Sequence, residues 1–114
     1  MNNVERIKSY TKTIYDDEIP VSEHTAINAI HFLRLIPEHL PQPHVSSSVD
    51  GEVGVFWYKG NKAVQAYFDE ESHLTWLSLD HNLIQPCVGV GDIDWSVHSA
   101  LPEDFLKELE AVYA

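Results

Sequence analysis

The first third of the chain carries its apolar residues at helical spacing. In residues 3–15 they recur every three or four positions with charged residues between them, which predicts an amphipathic helix. A second helix is predicted over residues 23–36, with Ser22 as its N-cap and Pro37 directly after its end. Its predicted core stripe consists of Ala26, Ile27, Ile30, Leu33 and Ile36.

After a proline-rich connector over residues 37–43, the pattern changes to an alternation of period two. Short turns with Asp-Gly, Gly-Asn and acidic residues separate the alternating segments, which predicts an antiparallel meander. The predicted strands cover residues 44–49, 52–58, 63–68 and 73–79. Only short extended pieces are predicted over residues 83–90 and 93–95, and Pro86 interrupts the first of them.

A last helix is predicted near the C-terminus. Pro102 suits a first helical turn, Glu103 and Asp104 suit the positive helix end, and apolar residues follow on one side. The chain of 114 residues, 44% of them hydrophobic, is therefore predicted to form a single α+β domain spanning residues 1–114. It would have two N-terminal helices, an antiparallel four-stranded meander sheet and a C-terminal helix, with helices covering one sheet face.

The predicted strands are apolar on both of their faces. If helices cover one face, the other face carries an aromatic stripe of Phe56, Tyr58, Tyr67 and Trp76. Large, stiff aromatic side chains are common anchors of protein interfaces. Two alternatives stay open: the C-terminal segment buries the second face as well, or the stripe is the contact surface of a homodimer.

Charge is distributed unevenly along the sequence. The net charge is −11, and ten acidic residues with one lysine in residues 63–114 account for −9 of it. Three acidic groups stand out, and each can also be explained as a solvated turn or helix start. They are Asp69, Glu70 and Glu71, then Asp92 and Asp94, then Glu103 and Asp104.

Carboxylates that share one surface attract a basic partner and speed its encounter. The same charge disfavours direct binding to nucleic acid or to an anionic membrane, because both need lysine and arginine clusters. The expected partner is therefore a basic protein surface.

Candidate chemistry is sparse. Seven histidines and one cysteine show no spacing typical of a metal site or a nucleophile, so we expect no metal, no cofactor and no catalysis. Cys87 is expected to be a small buried residue, and residues 89–92 to form a turn. The sequence shows no transmembrane stretch and no signal peptide at its start, which together with the unpaired cysteine favours the cytoplasm.

Several short motifs follow one another along the chain. Leu40-Pro41-Gln42-Pro43-His44-Val45 precedes Asp50-Gly51-Glu52-Val53 and Trp57-Tyr58, and Leu101-Pro102-Glu103 follows near the end. This order resembles a scattered family of small uncharacterised bacterial proteins, often encoded on mobile or prophage-like segments. The resemblance implies a context in which antitoxins, immunity proteins and inhibitors of host defence complexes occur.

Taken together, these patterns favour a non-catalytic acidic module that docks on and blocks a basic surface, such as that of a toxin or a nucleic-acid-binding complex. In that interpretation the carboxylates steer the encounter, or stand in for phosphates, and the aromatic side chains anchor the complex. The steering residues would be Asp69, Glu70, Glu71, Asp92 and Asp94, and the anchors Tyr58, Tyr67 and Trp76. The alternatives are a dimerising structural or accessory protein and a small-ligand-binding or enzymatic domain.

Overall fold

A computed structural model describes residues 2–12 and 19–114, which form three helices and five strands. The α+β class is confirmed, but the predicted count of four strands is wrong, because a fifth strand lies along the fourth. In chain order the elements are α1 (Asn3–Tyr10), α2 (Glu23–Leu35), β1 (His44–Ser47), β2 (Val53–Lys59), β3 (Lys62–Phe68), β4 (His73–Asp80), β5 (Cys87–Asp94) and α3 (Glu103–Val112).

Side-chain caps fix where the first two helices begin. The Asn2 side chain accepts a hydrogen bond from the Glu5 N–H at 2.8 Å, and Ser22 accepts one from the Thr25 N–H at 3.1 Å, as its predicted N-cap role requires. Helix α1 ends at Tyr10, earlier than predicted, and residues 13–18 lie outside the described residues. Of the described helices, none has the length and apolar character needed to cross a membrane.

The buried side of α2 differs from the predicted stripe. Ile27 is 53% exposed, whereas Phe32, absent from the prediction, is completely buried. Ala26 and Ile30 are buried as expected, and Leu33 and Ile36 are half-buried at the edge of the core. The helix is therefore rotated so that its aromatic residue, which buries the most apolar area, lies against the sheet.

The five strands form an antiparallel meander in the order β1-β2-β3-β4-β5. The turn between β2 and β3 is closed by Gly60, whose φ of +60° lies in the left-handed region that glycine tolerates. Because each strand reverses the previous one, the turns β1–β2 and β3–β4 and the end of β5 lie at one end of the sheet. The turns β2–β3 and β4–β5 lie at the other end.

Strand β5 replaces the predicted extended pieces and the predicted turn over residues 89–92. Gly91 lies opposite Trp76 in the β4–β5 register, and the indole occupies the space where a Cβ on Gly91 would stand. Gly89, opposite Ser78, lies beneath the same ring. The two glycines are therefore required for close contact with an aromatic side chain of the neighbouring strand.

All three helices pack on one face of the sheet around Phe32. Its ring makes edge-on contacts with Phe68 of β3 at 5.1 Å, Phe105 of α3 at 5.2 Å and Trp95 at 5.5 Å between centroids. Since α3 reaches this same cluster, the C-terminal segment does not cover the opposite face, and the two-sided burial considered above is wrong for the described residues.

Replacing Phe32 with alanine should lower the free energy of unfolding by about 3–5 kcal/mol, because it leaves a cavity between the sheet and two helices. Ile27→Ala on the same helix should change it by less than about 1 kcal/mol, since that side chain is half exposed. Urea denaturation followed by tryptophan fluorescence measures both. Equal losses in the two variants would contradict a core centred on Phe32.

Candidate binding surface

The sheet face opposite the helices, here called the open face, is covered by no described helix. Tyr58 is 53% exposed on it and Val90 is 63% exposed, while Ala63 between them is buried and the other intervening residues are half-buried. By register, the open face comprises Phe56, Tyr58, Ala63, Gln65, Tyr67, Thr75, Leu77, Leu79, Val90 and Asp92. It is a largely apolar and aromatic surface, with Gln65 on its central strand and Thr75 and Asp92 toward one end.

The aromatic side chains of the open face form a connected group. Phe56 stacks on Tyr58 at 6.3 Å between centroids and meets Tyr67 edge-on at 5.7 Å. The Tyr67 hydroxyl donates a hydrogen bond to the side-chain Oε1 of Gln65 at 2.8 Å. Gly54 lies beneath the Phe56 ring, which a side chain at that position would displace. The rings are thus held in place by contacts within the protein.

Trp76 does not belong to this group, and its predicted place in the outward stripe is wrong. It is 2% exposed and lies on the helix side, where its indole meets Phe105 edge-on at 5.7 Å. The alternation of β4 explains the error. Leu74, Trp76 and Ser78 point inward, and Thr75 and Leu77 point outward, so both phases of the strand carry large apolar residues.

Two of the three predicted acidic groups meet at one end of the open face. The imidazole of His73 lies between Asp69, at 3.6 Å, and Asp94, at 3.2 Å. The register of β4 and β5 places Asp94 opposite His73 and Asp92 opposite Thr75, so Asp92 and Asp94 point to the same side. We call the group Glu52, Asp69, Glu70, Glu71, Asp92 and Asp94 the acidic end.

Local hydrogen bonds hold the turn that carries the first acidic group. Asp69 accepts hydrogen bonds from the N–H groups of Glu71 at 2.9 Å and His73 at 3.0 Å, a typical aspartate turn. Ser72 completes the turn with a φ of 62°. The side chains of Glu70 and Glu71 are exposed, and Glu70 lies beside Gly51 of the neighbouring β1–β2 turn.

None of the seven lysine and arginine residues projects from the open face. Five of them lie in or next to the helices. The other two flank the β2–β3 turn but point to the helix side, where Lys59 stands 5.8 Å from the Tyr113 ring and Lys62 lines a cleft with Glu108. Across residues 2–12 and 19–114, every ion-pair contact of a carboxylate involves a histidine. The acidic end therefore keeps its negative potential.

The remaining candidate residues lie elsewhere. Glu103 and Asp104 begin α3, in the helix layer, and do not join the acidic end. Cys87 is exposed on β5, so its predicted burial is wrong. No three histidine, cysteine, aspartate or glutamate side chains of the described chain are arranged to hold a metal ion.

Comparison with known proteins gives no relative. No protein-family model matches the chain, and no curated protein or solved structure matches it either. The resemblance drawn from the sequence motifs therefore stays a prediction.

The structure adds members to the surface that sequence reasoning did not include. Glu52 belongs to the acidic end, Leu77 and Val90 belong to the open face, and His73 lies between two carboxylates of the acidic end. For Leu77 the signal was present, since the two-residue period of β4 puts it in phase with Thr75. For Val90 the signal was absent, because the flanking glycines read as a turn.

Burial, and then the neighbouring Tyr58 and Glu52, raise the pKa of Tyr67 above its ordinary value of 10.0. The folded protein therefore holds this proton more tightly than the unfolded chain, and the resulting stability is lost as the pH rises through the folded-state pKa. We expect Tyr67→Phe to flatten the alkaline decline in the free energy of unfolding, measured by urea denaturation between about pH 8 and about pH 11. An equal decline of the free energy of unfolding with pH in the two proteins would contradict the raised pKa of Tyr67.

Proposed function

We propose that this protein is a non-catalytic binding module that docks its open face and acidic end onto a basic surface of another protein and blocks that surface. We also propose that the protein acts in the cytoplasm. Targets of the right chemistry include a toxin and a nucleic-acid-binding complex, whose phosphate-binding groove the carboxylates would occupy in place of phosphates.

One observation carries the proposal: an uncovered apolar sheet face ends in carboxylates that no lysine or arginine neutralises in the described chain. Exposed apolar patches of this kind are typical of interaction sites, and negative charge at their margin favours a positively charged partner. Asp94, 95% exposed at the side chain, and Asp92 stand on the open side of the sheet rather than in the helix layer.

The two parts of the surface have different physical roles. Several carboxylates within a Debye length of about 8 Å build a potential that attracts a basic partner over distance, and this potential raises the association rate. Tyr58 and Tyr67 bury apolar area while keeping a hydroxyl for hydrogen bonding, and desolvated contacts of this kind slow dissociation. Trp76 supports the surface from inside the core and makes no direct contact with a partner.

Neutralising the acidic end should slow association with the partner. We expect the triple variant Glu71→Gln, Asp92→Asn, Asp94→Asn to lower the association rate constant about tenfold or more at low salt, and to weaken its salt dependence. The partner is first captured by a photo-crosslinking amino acid at position 58 and identified. Stopped-flow association at several ionic strengths then compares the proteins.

The matched control is Glu103→Gln, Asp104→Asn, Glu110→Gln, which removes the same formal charge from exposed positions of α3 and its first turn. It should change the rate constant by less than about threefold, because these groups lie in the helix layer. Equal effects of the two triples, or a rate that salt does not change, would refute a role for the acidic end.

Removing an aromatic anchor should act on dissociation instead. Tyr58→Ala should raise the dissociation rate constant of the same complex about five- to thirtyfold while leaving association nearly unchanged. Val97→Ala, an exposed apolar position beside α2, is the control and should leave both rates unchanged. An unaltered dissociation rate in the Tyr58 variant would remove the open face from the interface.

A homodimer through the open face is the alternative that the exposed apolar area favours. Sedimentation equilibrium distinguishes the two functions. A stable dimer that Tyr58→Ala dissociates, with no basic partner crosslinked at position 58, would replace the proposal with a structural dimerisation role.

A further inference from the structure

The open face ends at an edge strand, β5. Strand β5 pairs with β4 on one side only and is the last strand of the sheet. The Trp95 N–H donates to the Ser72 carbonyl at 2.7 Å, which fixes the direction of the backbone at the end of β5. Because N–H and C=O groups alternate sides in an antiparallel strand, Gly89, Gly91 and Ile93 bond to β4.

The alternate residues Val90, Asp92 and Asp94 therefore direct their N–H and C=O groups away from the sheet. No described residue supplies a backbone partner to them. Proteins usually protect such an edge with charged side chains, proline, a bulge or a covering element. In residues 90–94 of β5 the protection is the carboxylates of Asp92 and Asp94, which repel an acidic strand but attract a basic one; the bulge at Val88, where the register shifts between Ser78 and Leu79, lies before this stretch.

The same three residues also present their side chains on the open face. Val90 is 63% exposed, and Asp92 and Asp94 belong to the acidic end. The free backbone groups and the charged side chains thus belong to the same edge of the sheet. A strand added here would place each of its own facing residues beside one of these side chains, on the same face and within about 5.5 Å between Cβ atoms.

We propose that β5 takes up an extended segment of the partner by strand addition, and that this segment carries basic residues at two alternate positions followed by an apolar one. In antiparallel pairing the two basic residues lie opposite Asp94 and Asp92, and the apolar residue lies opposite Val90. This inference rests on the proposed function, because it assigns the mode by which the same acidic surface recognises its partner.

On the helix side of the sheet, the intervening residues of the added strand would lie beside Gly91 and Ile93 of β5. Gly91 presents no side chain there because the Trp76 indole lies over it, and Ile93 is 36% exposed. β-branched intervening residues suit this position, because they pack against Ile93.

Charge favours a basic segment over a second copy of the chain. A second copy brings a net charge of −11, and pairing two β5 strands about Asp92 sets identical carboxylates opposite each other. A basic segment instead neutralises Asp92 and Asp94 while it satisfies the free backbone groups.

The test uses a synthetic peptide, acetyl-Thr-Lys-Thr-Arg-Thr-Val-Thr-amide, and its backbone N-methylated forms with the intact protein. N-methylation at the arginine, whose N–H faces β5, should lower affinity at least about tenfold, because it removes a hydrogen bond and introduces a clash. N-methylation at the threonine between the lysine and the arginine, whose N–H faces solvent, should change it less than about threefold. Isothermal titration measures the affinities.

Amide exchange by nuclear magnetic resonance gives a second readout on the protein. Binding should slow exchange at Val90, Asp92 and Asp94 and leave Gly91 and Ile93, already bonded to β4, nearly unchanged. The double variant Asp92→Asn, Asp94→Asn should weaken the peptide about tenfold or more, and Glu103→Gln, Asp104→Asn should weaken it less than about threefold.

The outcomes separate this inference from the proposed function. Equal effects of the two N-methylations, with affinity still dependent on Asp92 and Asp94, would overturn strand addition and leave the acidic docking surface intact. Affinity independent of both aspartates would overturn both proposals. No binding of the peptide at about 1 mM, or a dimer in sedimentation that itself slows amide exchange at Val90, Asp92 and Asp94, would overturn the inference alone.

Discussion

The packing of Phe32 against the sheet is the interaction on which the rest of the molecule depends. One ring from α2 contacts aromatic residues of β3, of α3 and of the segment after β5, so both long helices are held on the same side. With all three described helices on that side, none of them covers the opposite face of the sheet. The bare second face is therefore a consequence of where the aromatic core formed.

This one-sided arrangement also affects where the charge is compensated. Arg6, Lys8, Arg34 and Lys107 lie on helices of the covered side together with the helical carboxylates, whereas the acidic end contains no lysine or arginine. The uncompensated negative charge is therefore concentrated at the acidic end, which attracts an approaching cation before contact. A net charge of −11 alone would attract cations to any surface.

Local chemistry made much of the fold predictable, and non-local contacts limited the rest. Ser22, Pro37 and the glycine turn at Gly60 mark boundaries through their own backbone preferences, and the structure has those boundaries within a few residues. The pattern predicts strand β5 only as two short extended pieces separated by a turn, because its glycines suit a turn unless Trp76 lies above them. Likewise, each acidic group was recognisable alone, but the meeting of Asp69 with Asp94 depends on the β4–β5 register.

The indole over Gly89 and Gly91 divides β5 into two kinds of position. Gly89 and Gly91 are constrained to be glycine, since a side chain there would press on the indole and separate the strand from its neighbour. Val90, Asp92 and Asp94 are exposed on the open side of the sheet. A lineage could thus exchange its target by altering Val90, Asp92 or Asp94 while the scaffold beneath them stays the same.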